Sequence, residues 1–184
     1  KSVSGAGALR FIGTGKVTNT SNLNTTGPLQ VYPPSSFVTE GPITVGSVNV
    51  DGELTLNQPL TITTGDFVVG DTQPGHGRAV ISEGTVDAAT IVVGKNAGTS
   101  GVLLQTGGTV IDRTGGTDCY VGGGNNAAFG VWGAYRMTGG VLNTSNHFQV
   151  GAQGIGIMGV GNATVNFKAG VPSIGRSQDG TNSR

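Results

Sequence analysis

The chain has 184 residues, of which 35 are glycine and only 11% are charged, with ten lysines and arginines balancing ten aspartates and glutamates. A net charge of zero supplies no field to gather nucleic acid or an anionic membrane surface, and no apolar run approaches the roughly 18 residues of a membrane span. The single cysteine, Cys119, excludes an intrachain disulfide, so stability must come from packing and hydrogen bonds.

Residues 1–42 do not fit the repeat well, although Gly13 loosely echoes the strand-closing glycines. KSVSGAGALRFIG suggests one strand around Ala8 to Ile12, TNTSNLNTTGPLQ is a polar tract, and Pro33, Pro34 and Pro42 interrupt sheet pairing. This segment is expected to be an N-terminal cap, a mobile arm or a donor strand. The chain starts at Lys1 without methionine and without a signal-peptide pattern, which would suit a processed protein or a piece of a longer one.

From Ile43 a pattern sets in. ITVG at 43–46 precedes FVVG at 67–70 by the same interval that separates FVVG from IVVG at 91–94, and VNVDGELTLNQPLTIT alternates apolar and polar residues, the mark of strands with one buried face. Pro59 blurs the register of this unit. Beyond it IVVG, CYVG, FQVG and PSIG close on Gly94, Gly122, Gly151 and Gly175, continuing the series from Gly70. The steps are about 24 to 29 residues, and a period in the twenties means a solenoid or an array.

Laid over one another, the units give three mostly apolar columns: Ala79, Leu103, Tyr135 and Met158; Ile81, Gln105, Met137 and Val160; Val86, Val110, Leu142 and Val165. Between them fall Glu83-Gly84, Gly107-Gly108 and Gly139-Gly140, corners that call for positive φ or close backbone approach. Asn162-Ala163 breaks that glycine pair in the last unit. Cys119 occupies the slot of Phe67, Ile91 and Phe148 and is expected to pack as a small buried hydrophobe.

No 3.6-residue periodicity appears, and glycine every few residues makes helices costly. The expected fold is all-β: a right-handed parallel β-helix of about five or six coils over residues 43–175, stacked about 4.8 Å apart into a core of roughly 25 to 30 Å, with a polar tail at 176–184. An antiparallel sandwich is the alternative; it does not so readily require repeats in phase.

IVVGKNAGTSGVLLQTGGTV and CYVGGGNNAAFGVWGAYRMTGGVLN resemble the Gly/Thr-rich β-strand repeats of autotransporter passenger domains, and especially those of very large secreted surface proteins of planctomycete-like and verrucomicrobial bacteria. The resemblance covers residues 67–175 clearly and 43–66 weakly. It implies a β-solenoid that is secreted or displayed on a bacterial surface, and it brings no catalytic residue with it.

Chemistry is sparse. Asp66, Thr90, Asp118 and His147 share the position before the strand, and Asp71, Lys95, Gly123, Ala152 and Arg176 the one after its glycine; neither column clusters the carboxylates that glycan cleavage needs, so no enzyme is expected. His76 and His147 lack zinc-site spacing, and the Gly122 to Gly124 run lacks a phosphate-binding context. No cofactor is expected. Asp112 and Asp118, in DRTGGTD, are the carboxylates placed to offer calcium a site, though without the nonapeptide repeat or EF-hand spacing. Phe129, Trp132 and Tyr135 fall in the longest loop, FGVWGAYR, where exposed aromatics would stack on sugar rings. Asn19, Asn24, Asn143 and Asn162 begin glycosylation-type triplets, which a chain rich in Asn and Thr yields by chance.

A solenoid leaves unpaired strand edges at its ends. The expected function is therefore an extracellular structural protein that assembles head to tail with copies of itself, through Leu9, Phe11 and Ile12 at one end and Ile174 at the other. A carbohydrate-binding or adhesive module of a larger surface protein, taking surface polysaccharide at the Trp132 loop, is the alternative. A polysaccharide-cleaving enzyme ranks third.

Overall fold

The computed structural model describes residues 3–113, 118–123, 130–145, 147–168 and 172–175. Among them there is no helix, and the chain winds through three strands per coil. The first three coils comprise β1 (Val3–Gly5), β2 (Leu9–Phe11) and β3 (Lys16–Asn19); β4 (Leu23–Thr25), β5 (Leu29–Val31) and β6 (Ser36–Thr39); β7 (Ile43–Val45), β8 (Val48–Val50) and β9 (Glu53–Leu56). The next three are β10 (Leu60–Ile62), β11 (Phe67–Val69) and β12 (His76–Ile81); β13 (Thr85–Ala88), β14 (Ile91–Val93) and β15 (Ser100–Gln105); β16 (Thr109–Asp112), β17 (Cys119–Val121) and β18 (Trp132–Met137). A seventh follows with β19 (Val141–Thr144), β20 (Phe148–Val150) and β21 (Ile155–Val160), and β22 (Thr164–Phe167) and β23 (Pro172–Ile174) begin an eighth.

Corresponding strands stack into three parallel sheets: A from β1 to β22, B from β2 to β23 and C from β3 to β21. This is a parallel β-solenoid. All three expected columns exist in the expected register: Ala79, Leu103, Tyr135 and Met158 are paired in turn, as are Ile81, Gln105, Met137 and Val160, and Val86, Val110, Leu142 and Val165. Alternation sets the faces. In β15 Gly101, Leu103 and Gln105 point inward and are buried, while Ser100, Val102 and Leu104 face out. Inward residues from all three sheets meet in one apolar core that runs from Leu23 to Val150. Aromatic rings continue it at both ends: Phe11 stacks on Phe37 with centroids 4.4 Å apart, and Phe148 lies between Tyr135 and Phe167, 6.4 Å from each.

Two kinds of glycine hold the coil tight. Gly94, with φ of 72°, sits where the chain leaves sheet B, a conformation that side chains rarely adopt. Gly101 is inward on β15, and a Cβ there would lie 2.1 Å from the Val69 carbonyl oxygen and 2.6 Å from the Gly94 nitrogen. The same slot holds Gly77, Gly133 and Gly156 in register. At this corner sheets B and C approach too closely for any side chain.

The structure corrects the reading of residues 1–42. Strands β1 to β6 belong to the same three sheets as the rest, with Leu23 pairing with Ile43 and Leu29 with Val48; they are coils of the solenoid, not an arm or a separate cap. The five or six coils expected over residues 43–175 are there, five complete and a sixth partial, and two more precede them; seven steps of about 4.8 Å give a core about 34 Å long. The equation of ITVG with FVVG also falls. Ile43 pairs with Leu60 in sheet A, and the partner of Phe67 is Val48 in sheet B. Successive sheet B strands begin at Leu9, Leu29, Val48, Phe67, Ile91, Cys119, Phe148 and Pro172. The early coils therefore take about 20 residues each and the later ones more, all within the range of solenoid repeats. PSIG does close the series: Pro172 to Ile174 pair with Phe148 to Val150. The expected tail at 176–184 lies outside the described residues.

Candidate functional site

The lengthening begins at one place. Sheet C strands grow from four residues in β3, β6 and β9 to six in β12, β15, β18 and β21, and the link from sheet B grows from Asp51-Gly52 to the loop 70–75. The longer links stack on one another as a ledge along the B–C corner. Lys95 Nζ lies 3.3 Å from Asp71 Oδ1, Asn96 Nδ2 donates to the Asp71 carbonyl at 2.7 Å, Thr99 Oγ1 donates to the Gly70 carbonyl at 3.1 Å, and Gln73 Nε2 donates to the Ala97 carbonyl. Asp71 and Lys95 are thus a pair within one column, as their common position after the closing glycine implies.

The first ledge loop overhangs the shorter coils and roofs a notch of about 390 Å³. Its floor and walls are Arg10, Ile12, Tyr32, Pro33 and Asp51; its roof is Thr72 to Gly75. Asp51 is buried and fixes the roof: its Oδ1 accepts from the backbone N–H of Asp71 at 2.7 Å and of Thr72 at 3.0 Å. Arg10 is exposed on the outer face of sheet B, with Nε donating to Gln30 Oε1 at 2.7 Å. Sequence reasoning misses this site because its residues come from four coils, of which the first two are not expected as coils.

The aromatic site is rearranged. Trp132 and Tyr135 do not lie in a loop: both are in β18, facing opposite ways. Tyr135 is 1% exposed, and its hydroxyl donates to Gln105 Oε1 at 2.5 Å inside the core. It is inaccessible to a ligand, because its column position outweighs the glycine-rich sequence before it. Trp132 is half-buried on the outer face of sheet C, between Ser100 and Ile155, and Phe129 lies outside the described residues.

The two carboxylates considered for calcium also have structural surroundings. Asp112 ends β16 as an inward, fully buried residue in the column of Ala88 and Thr144, and its charge acts on the buried Cys119 thiol. It is a core group and not a loop ligand. Asp118 is half-buried and accepts from Gln149 Nε2; residues 114–117 between them are outside the described residues. Among the described residues no three of His, Cys, Asp and Glu converge as a metal-binding group.

Burial first, and the Asp112 charge second, push the Cys119 thiol well above its ordinary range. Cys119 therefore packs as the buried hydrophobe expected of it. The folded state keeps the proton to higher pH than the unfolded state does. This contribution to stability is complete below the unfolded thiol value and is lost as pH rises through the interval above it. Melting temperature is accordingly expected to fall above about pH 9, less steeply in Cys119→Ala, and the native thiol is expected to resist a disulfide-exchange reagent that labels the unfolded chain at once.

Of the residues considered for assembly, Leu9 and Phe11 are half-buried inward residues of the first coil, packed against the core. Ile12 is 73% exposed beside the notch, and Ile174, inward on β23, is 86% exposed. Inward positions of the end coils repeat this: Val17 in the first, Val160 in the seventh and Phe167 in the eighth are 41%, 51% and 38% exposed. Comparison with protein-family models, curated proteins and solved structures finds no match to the chain.

Proposed function

We propose that the chain is an extracellular structural module whose coils stack end to end on other copies of itself, extending the rod into a fibre or a surface layer. The observation that carries this is the state of the two ends. Among the described residues nothing pairs with the outer edges of β1, β2 and β3, or with those of β21, β22 and β23, and inward residues of the end coils are exposed. A parallel solenoid is polar along its axis, so the last edges of one copy face the first edges of the next in the sense that every internal pair already uses. Strand addition of that kind draws its affinity from main-chain hydrogen bonds, and a head-to-tail contact that does not close makes filaments. The low charge and the hydroxyl-rich and amide-rich surface support an exterior setting.

Sedimentation against protein concentration, with electron microscopy of the product, tests the reading. The expected result is species that grow in length and not in width. Val160→Lys combined with Phe167→Lys places two charges on the terminal inward positions, where they are solvated in the single rod and buried in the stack; this variant is expected to stay a monomer with an unchanged β-sheet spectrum. A wild-type chain that remains monomeric at every concentration overturns the proposal.

A further inference from the structure

We propose that the notch beneath the first ledge loop is a binding site for an acidic saccharide, a sugar ring bearing a carboxylate. It lies along the outer side of the first four coils and does not rest on the assembly reading.

The site exists because of the change of period. The first three coils turn the B–C corner with links of four, four and two residues, and the fourth turns it with the loop 70–75; the step between them leaves a concavity. Its volume, about 390 Å³, lies in the range of small-ligand pockets. The lining has the composition that recognises a sugar. Tyr32, Pro33 and Pro74 present an aromatic ring and two apolar rings, suited to the C–H face of a pyranose, while Gln73 offers an amide partner for hydroxyl groups.

Charge selects the acid. Arg10 is the cationic residue of the lining, and its Nε–H is committed to Gln30 Oε1 at 2.7 Å. That bond fixes the guanidinium plane on the polar half of the sheet B outer face, where Arg10, Gln30 and Asn49 are paired in turn. The terminal nitrogens are the donors left, a fork that matches a carboxylate in two places. Asp51 does not cancel it at the mouth: it is 1% exposed, with Oδ1 turned to the backbone N–H groups of Asp71 and Thr72. A rim with an arginine fork and a rigid roof is pre-organised, which spares a ligand the cost of ordering the loop.

Titration of the whole chain with D-glucuronate and digalacturonate, against glucose and cellobiose as neutral probes, decides the matter when followed by amide NMR shifts. Saturable binding of the acidic probes is expected, with shifts at Thr72, Gln73 and Gly75. Arg10→Gln is expected to weaken that binding about tenfold and to remove the preference over neutral sugars; Tyr32→Ala is expected to weaken both classes, and Trp132→Ala neither. Should Tyr32→Ala fail to fold, Arg10→Gln decides alone, since its side chain is exposed. The proposal is overturned if neither acid binds saturably, if neutral sugars bind equally well, or if Arg10→Gln keeps full affinity.

Discussion

Replacing Gly101 by alanine is expected to cost at least about 3 kcal/mol, at the upper end of what single substitutions do, and Gly101→Val is expected to abolish cooperative folding. The added Cβ would meet the Val69 carbonyl oxygen at 2.1 Å, and the Gly94 nitrogen stands 2.6 Å away. Both obstacles are backbone, so no rotamer change relieves them. Sheet B and sheet C would have to part at that corner, and because Gly77, Gly133 and Gly156 fill the same slot in neighbouring coils, the opening would propagate along the rod. Gly7→Ala is the internal control: a Cβ there meets nothing within 4 Å, and its effect is expected to stay within about 0.5 kcal/mol. Urea unfolding of the two variants beside the parent measures the contrast; equal costs would refute the close-corner account.

The second large effect belongs to Tyr135. Truncation to alanine empties the largest fully buried side chain of the core and is expected to cost about 3 to 5 kcal/mol. Tyr135→Phe isolates the polar part. It keeps the ring beside Phe148 but removes the donor to Gln105 Oε1, leaving a buried amide oxygen short of a partner at about 1 to 3 kcal/mol. Gln105 has other bonds to keep, from its Nε2 to the carbonyls of Gly108 and Val141 at 3.3 and 3.2 Å. Pairing Tyr135→Phe with Gln105→Leu is therefore expected to recover part of the loss, and a double-mutant cycle gives the coupling directly. Strict additivity would mean the hydroxyl and the amide do not act together.

These two residues also show what the sequence could and could not tell. Tyr135 falls correctly into the column of Ala79, Leu103 and Met158, because period-two alternation fixes which face each residue takes. Its assignment to an aromatic loop failed because the glycines before it outweighed that alternation. Two apolar neighbours of one column are stronger evidence than local composition, since a residue's surroundings in a solenoid come from the coils on either side. Asp112 shows the converse: a carboxylate at an inward position reads as a surface group until the pairing of Ala88, Asp112 and Thr144 places it in the core.

The missed coils have a different cause. LNTTGPLQV, ITVGSVNV and LTITTGDFVV each carry two short strands around Gly27, Gly46 and Gly65, and a Cβ on Gly46 would reach within 2.2 Å of the Thr26 carbonyl oxygen. That signal was legible. The longer period of the later units stepped over it and set ITVG against the wrong strand. The notch was hidden for the same reason, since Arg10, Tyr32 and Asp51 each stand one short coil from the next and meet only once those coils are recognised.

The short early turns and the long later turns keep the same three-residue corner between sheets C and A and differ most at the corner between sheets B and C. The molecule therefore separates two properties that most folds tie together. Its reach grows in increments of one layer, about 4.8 Å, by adding or removing whole turns, whereas its surface relief is set turn by turn at the B–C corner without disturbing the register elsewhere. Such a chain works as a graduated ruler, with length in the number of turns and markings in the corner that varies.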